Sequence, residues 1–116
     1  MIRATFALAL ALMAGCSQAL TPQEVRAVPI TDLPATPAEY HPALKAAAEY
    51  LKAKGEEPSE FYVSDISKTK TTVVLPLWHK SAFELKERVV GNPGGKCRNL
   101  EYNMAQNKIT GELFWQ

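Results

Sequence analysis

The chain has 116 residues, 13 of them basic and 12 acidic, and 47% are hydrophobic. That length suits one domain with a modest core, and the near-neutral balance argues against nucleic acid as a partner, because phosphate binding rests on a cationic patch. Two cysteines, Cys16 and Cys97, with no CxxC or Cys/His spacing, supply neither a disulfide framework nor a zinc or redox motif.

The chain opens with a single charge, Arg3, and then an apolar run that closes on Leu12-Met13-Ala14-Gly15-Cys16. The run is about 11 residues long, roughly half the ~20 needed to span a bilayer as a helix. A short cationic start, an apolar centre and small residues at the end read as a secretory signal peptide over residues 1–15. Without Arg3 the remaining chain carries 12 basic and 12 acidic residues.

The Ala14-Gly15-Cys16 ending resembles the lipobox of bacterial lipoproteins, with Met13 standing where leucine is usual. The resemblance implies that Cys16 is lipidated and becomes the new N-terminus. A multi-chain anchor would then moor the protein stably, facing the periplasm, and Ser17 favours the outer membrane. The alternative is an ordinary signal peptidase cut after Ala19, at Ser17-Gln18-Ala19, giving a soluble periplasmic or secreted protein. With Cys16 either lipidated or removed, Cys97 has no disulfide partner and reads as a small apolar filler in a strand.

Residues 16–40 read as the lipidated cysteine and a flexible tether. Pro22, Pro29, Pro34 and Pro37 interrupt it, and Val25, Val28, Ile30 and Leu33 keep no sustained period. Over some 20 residues such a spacer spans roughly 25 Å root-mean-square. The alternative is an N-terminal strand or arm packed on the domain.

The domain proper is placed at residues 41–116. A helix is expected over residues 42–54, with Pro42 in its first turn and Gly55 just past its end. Leu44, Ala47, Ala48 and Leu51 share one face of it. The period then becomes strand-like. Residues 60–67 put Phe61 and Val63 on one face and Tyr62 and Ile66 on the other. Residues 71–79 form the strongest strand, with Pro76 marking an edge or a bulge. Residues 80–90 fit either a short helix or an irregular strand. Gly91-Asn92-Pro93-Gly94-Gly95 is a break. A final hairpin follows: residues 96–104 place Arg98, Leu100, Tyr102 and Met104 on one face, and residues 108–116 place Ile109, Gly111, Leu113 and Trp115 together with Phe114 opposite. Asn107 suits a positive φ in the turn. One helix followed by about four antiparallel strands is an α+β fold, the helix covering one face of the sheet.

That order resembles cystatin-like domains, including nuclear-transport-factor-2-like ones. More narrowly, the stretch from Tyr40 to Gln116 is similar to small bacterial immunity-type domains of that group. The shared features are Tyr40-His41-Pro42 opening an alanine-rich helix, a hydrophobic strand ending near Trp78, the Gly-rich turn, and Asn107-Lys108-Ile109-Thr110-Gly111 leading into the last strand. The resemblance implies an inhibitor or immunity role and carries no site residues.

No metal-ligand spacing, P-loop or dinucleotide fingerprint is present, and no cofactor is implied. His41 reads as a helix-start residue and His79 as a strand end. The aromatic residues are the stronger candidates. Trp78, Tyr102, Phe114 and Trp115 fall in the C-terminal strands with His79 beside them, and one helix can cover only one sheet face. A partner-binding site at Trp78, His79, Tyr102, Phe114 and Trp115 is therefore expected, serving a protein or envelope partner. The rival reading is a small hydrolase or ligand-binding cup, in which His79 works with a carboxylate such as Asp65 or Glu101. Oligomeric state is not legible.

Overall fold

The computed structural model describes residues 20–84 and 95–116. The signal-peptide stretch, Cys16, and the Gly91 to Gly94 part of the break lie outside the described residues. The fold is α+β, with one 16-residue helical segment packed on an antiparallel sheet. The strands are β1 (Val28–Pro29), β2 (Phe61–Val63), β3 (Ser67–Lys68), β4 (Thr72–His79), β5 (Arg98–Asn103) and β6 (Lys108–Phe114). Their order across the sheet is β1-β2-β4-β5-β6, with β3 also paired to β4.

A 3-10 turn at Ala38–Tyr40 leads into helix α1, His41–Ala53. Pro42 occupies the first turn, where its missing N–H costs nothing. His41 Nε2 lies 3.0 Å from the Thr36 carbonyl and ties the helix start to the segment before it. Gly55, at φ +81°, ends the helix in a Schellman turn: its N–H donates to Lys52, and that of Glu56 to Leu51. This turn sends Glu56 back toward the sheet. Leu44, Ala47 and Leu51 of the expected stripe are buried, joined by Ala43, while Ala48 is half-buried against the core. Its alanines let the helix lie close to Phe61, Val63, Val73, Leu75, Leu77 and Leu100.

The expected four strands become six because two short pairings are added. Ile30 is 1% exposed, inside the main core, and Val28 pairs with Val63. The segment read as tether thus contributes an arm to the sheet, the alternative left open above. The expected strand over residues 60–67 is broken into β2 and β3 by Asp65, whose φ is +51°. The break accounts for Pro76. β2 pairs with β4 only as far as Leu77, and β3 begins opposite Val74. Ser64 N–H donates to the Pro76 carbonyl, so the ring nitrogen of Pro76 faces the same side, where β2 has just ended. A central strand therefore holds the proline at the point where β2 ends, with its carbonyl still paired to Ser64, rather than by lying at an edge.

The last hairpin also departs from the simple alternation. Glu101 pairs with Gly111 and Tyr102 with Ile109, leaving Thr110 as a bulge. Ile109 consequently packs against the core, whereas Gly111, Leu113 and Trp115 turn to the other face. Asn107 adopts φ +55° in the turn, as its residue type suggested. Residues 80–83 form a 3-10 turn, Lys80–Phe83, which returns Phe83 to the sheet.

Candidate functional site

β4 alternates along its whole length. Val73, Leu75, Leu77 and His79 turn toward α1 and are buried, while Thr72, Val74, Pro76 and Trp78 turn outward. This parity divides the five residues expected to form one surface. Trp78 and Trp115 come together on the outer face. His79, Tyr102 and Phe114 lie on the helix side.

On the outer face the Trp78 ring stacks on Phe83, with centroids 5.5 Å apart and planes at 26°. It meets Trp115 edge-on at 4.9 Å. Phe83 in turn meets Tyr62 edge-on at 5.3 Å. Such pairs contribute about 0.5–1.5 kcal/mol each beyond area burial. Both indole donors are engaged: Trp78 Nε1 donates to Ser64 Oγ and Trp115 Nε1 to Asn99 Oδ1, each at 2.8 Å. The polar edges are fixed, and the rings form an apolar platform on the face that α1 does not cover. Tyr62, Phe83, Ser64 and Asn99 were not singled out from sequence. The period-2 pattern carried the first, and the other three depend on turns and pairings with no sequence signature.

Tyr102 is buried, and its hydroxyl donates to Asn107 Oδ1 at 3.2 Å, bracing the hairpin turn. Phe114, 41% exposed, lies over the Arg98 guanidinium at 4.5 Å. Arg98 itself is 1% exposed and forms the most heavily bonded group on the helix side. Its two terminal nitrogens grip Glu56 at 2.6 Å each, Nη1 also reaches Glu112 at 3.0 Å, and Nε donates to the Lys96 carbonyl. Phe61 and Phe114 contact the guanidinium plane at 5.2 and 4.5 Å. The second oxygen of Glu112 accepts from Lys54 at 2.6 Å and from Tyr50 at 2.9 Å. Hydrogen bonding from Arg98 holds the Glu56 carboxyl below the ordinary carboxylate range. Burial pushes the Glu112 carboxyl up, but bonds from Lys54, Tyr50 and Arg98 outweigh it and leave it lowered. Two cations and two carboxylates close on each other, so this cluster locks the end of α1 to β5 and β6.

His79 is 4% exposed and packs edge-on against Phe61. Its Nδ1 accepts from the Ser81 N–H at 3.1 Å and lies 2.8 Å from Ser81 Oγ. That pattern assigns the ring proton to Nε2, which sits 3.1 Å from Glu60 Oε1. The other Glu60 oxygen meets Lys80 at 3.3 Å. Hydrogen bonds from His79 and Lys80 hold the Glu60 carboxyl below its ordinary value. The carboxylate beside His79 is therefore Glu60, not Asp65 or Glu101. Asp65 sits exposed at the β2–β3 break, and Glu101 lies exposed on the outer face opposite Val74, the wrong side of the sheet for His79. Cys97 is fully buried and accepts from the His79 N–H; burial pushes its thiol up, away from the reactive thiolate.

Two clefts open elsewhere. One of about 260 Å³ lies between the arm and the β2–β3 break, beside Arg26, Tyr40 and Asp65. Another of about 430 Å³ lies between α1 and the hairpin, beside Tyr50 and Lys108. Neither is lined by any of the five candidates. Among the described residues no group of three or more His, Cys, Asp or Glu is placed to hold a metal, and no helix is long and apolar enough to cross a membrane. Comparison of the chain with family models, curated proteins and solved structures gave no match.

Proposed function

We propose that the protein is an exported, lipid-anchored periplasmic domain that binds a protein partner or other envelope component through the outer face of its sheet. The observation that supports the binding role is the Trp78–Phe83–Trp115 platform, set on the face opposite α1 with its indole donors internally satisfied. Large aromatic rings held rigid on a sheet are efficient contact anchors, because little side-chain entropy is lost on binding. Inhibition or immunity against a toxin is one form this role takes, suggested by the resemblance of the domain alone. What supports the anchor is the resemblance of the Ala14-Gly15-Cys16 ending to a lipobox.

Two measurements test the two halves. Cys16→Ala should move the protein from the membrane fraction to the soluble fraction and remove the acyl mass; unchanged partitioning overturns the anchor. Trp78→Ala should weaken binding to a partner identified by capture and then purified by at least tenfold, with the far-ultraviolet spectrum retained. Equal affinity would reject this face.

A second reading, a small hydrolase or ligand-binding cup using His79 with a carboxylate, draws on the Ser81–His79–Glu60 array. A nucleophile, base and orienting carboxylate in sequence of contact are the parts of acyl-transfer chemistry. A fluorophosphonate, which phosphonylates activated serines as fluoride leaves, discriminates the readings: binding alone predicts no adduct on Ser81, and an adduct lost in His79→Gln favours the hydrolase.

A further inference from the structure

Leu113 and Phe114 are the two exposed large hydrophobic residues among those described, at 68% and 41%. They are adjacent, and both lie on β6, the last strand in the sheet order. An edge strand carries a row of unpaired backbone donors and acceptors, which natural proteins usually blunt. Here the blunting is confined to one end. The Thr110 bulge disturbs the start of β6, and from Gly111 onward the pairing with β5 is regular.

The direction of the backbone groups follows from one bond. Trp115 N–H donates to the Cys97 carbonyl. Because antiparallel pairs alternate, the N–H and C=O groups of Leu113 and Gly111 also face β5, and those of Glu112 and Phe114 face the open edge. A further strand must therefore bond at Glu112 and Phe114.

We propose that this edge pairs antiparallel with the same edge of a second copy, about a two-fold axis beside Leu113. In that register Glu112 of each copy lies opposite Phe114 of the other, the outward backbone groups meet, and Leu113 lies opposite Leu113. On the outer face Leu113 of each copy covers Leu113 of the other, and on the helix side Phe114 lies within one residue of the axis beside Glu112 of the other copy. Moving the axis to Glu112 would set two carboxylates directly opposite, which destabilises a strand pair. An odd register would oppose outward groups with inward ones. The edge is thus complementary to itself, and the outer face would run continuously across both copies. This inference does not depend on the binding role proposed above.

The test uses the full chain. At the axis, Leu113 forms a non-hydrogen-bonded pair, for which Cα atoms lie about 4.5 Å apart, inside the range that a disulfide bridges. Leu113→Cys should give a covalent dimer under mild oxidation at least tenfold faster than the parent chain, which controls for Cys16 and Cys97, and than Lys70→Cys, an exposed position outside β6. Leu113→Lys should weaken association in sedimentation at least tenfold, while the melting temperature read at a dilution where the parent is monomeric stays unchanged, since in the single chain the side chain is largely solvated. Cross-linking of Leu113→Cys no faster than Lys70→Cys overturns the proposal. So does a parent chain that stays monomeric at millimolar concentration, including one whose β6 edge instead accepts a foreign extended peptide.

Discussion

Replacing Arg98 with methionine is expected to lower the unfolding free energy by about 3 kcal/mol, the range found when one partner of a buried ion pair is removed. Methionine retains the unbranched apolar stem of arginine but ends short of the guanidinium that lies against Phe61 and Phe114. What disappears is the charge, with the ring contacts of its planar head. Glu56 would lose both of its 2.6 Å bonds and stand half-buried, whereas Glu112 would keep Lys54 and Tyr50. The loss should therefore track Glu56. Arg98→Met combined with Glu56→Gln should cost less than the two single changes added together, because the uncompensated carboxylate is gone. Urea unfolding midpoints of the four proteins measure this coupling; strict additivity would show that the Arg98–Glu56 contact contributes no net energy.

The same cluster sets an acid limit. Glu56 and Glu112 both have lowered carboxyl values in the folded chain. A lowered group contributes stability that is present above its unfolded value, about 4.3 for Glu, and that is lost as the pH falls through the folded value. Stability should therefore hold near neutrality and decline from about pH 4.5 downward. In Arg98→Met that decline should flatten, since the chief cause of the Glu56 shift is absent. An acid limb identical in both proteins would place the sensitivity elsewhere.

Local signals made the architecture readable, and distant pairings hid the rest. The α1 stripe of Leu44, Ala47 and Leu51 and the alternation of Val73, Leu75 and Leu77 are written at periods of 3.6 and 2, and both pack as the pattern requires. Asn107 announced its turn because few other residue types accept a positive φ. The Thr110 bulge was silent: one extra residue reverses the parity, which is why Ile109 parts from Leu113 and why Trp115 but not Phe114 joins Trp78. The charge cluster was half visible. Arg98 fell on the same face as Leu100 and Tyr102, a position that demands a buried counter-ion, but its partner Glu56 lies 42 residues away and is delivered by the Gly55 turn. Glu60 reached His79 in the same way, through the 3-10 turn at Pro58–Glu60, so no spacing rule could pair them.

Ile30→Ala should be the second large effect, about 2–4 kcal/mol by the range for truncating a buried isoleucine. A two-residue strand has no period to detect, and four prolines made the region look open. Yet Ile30 N–H donates to the Phe61 carbonyl at 3.1 Å, and its side chain enters the core that Phe61 and Leu44 share. Val25→Ala, five residues earlier and only partly buried, should cost well under 1 kcal/mol. That contrast, read from thermal or urea unfolding, locates where the free chain ends and the domain begins; equal and small effects at both positions would restore a tether running to residue 40. The distinction matters for the proposed anchor. If docking starts near Ala27, the stretch back to Thr21 is already folded in hydrogen-bonded turns, so the reach from Cys16 falls short of the roughly 25 Å root-mean-square of a flexible chain of about 20 residues. In the proposed lipid-anchored protein, the shorter leash would hold the domain nearer the bilayer surface.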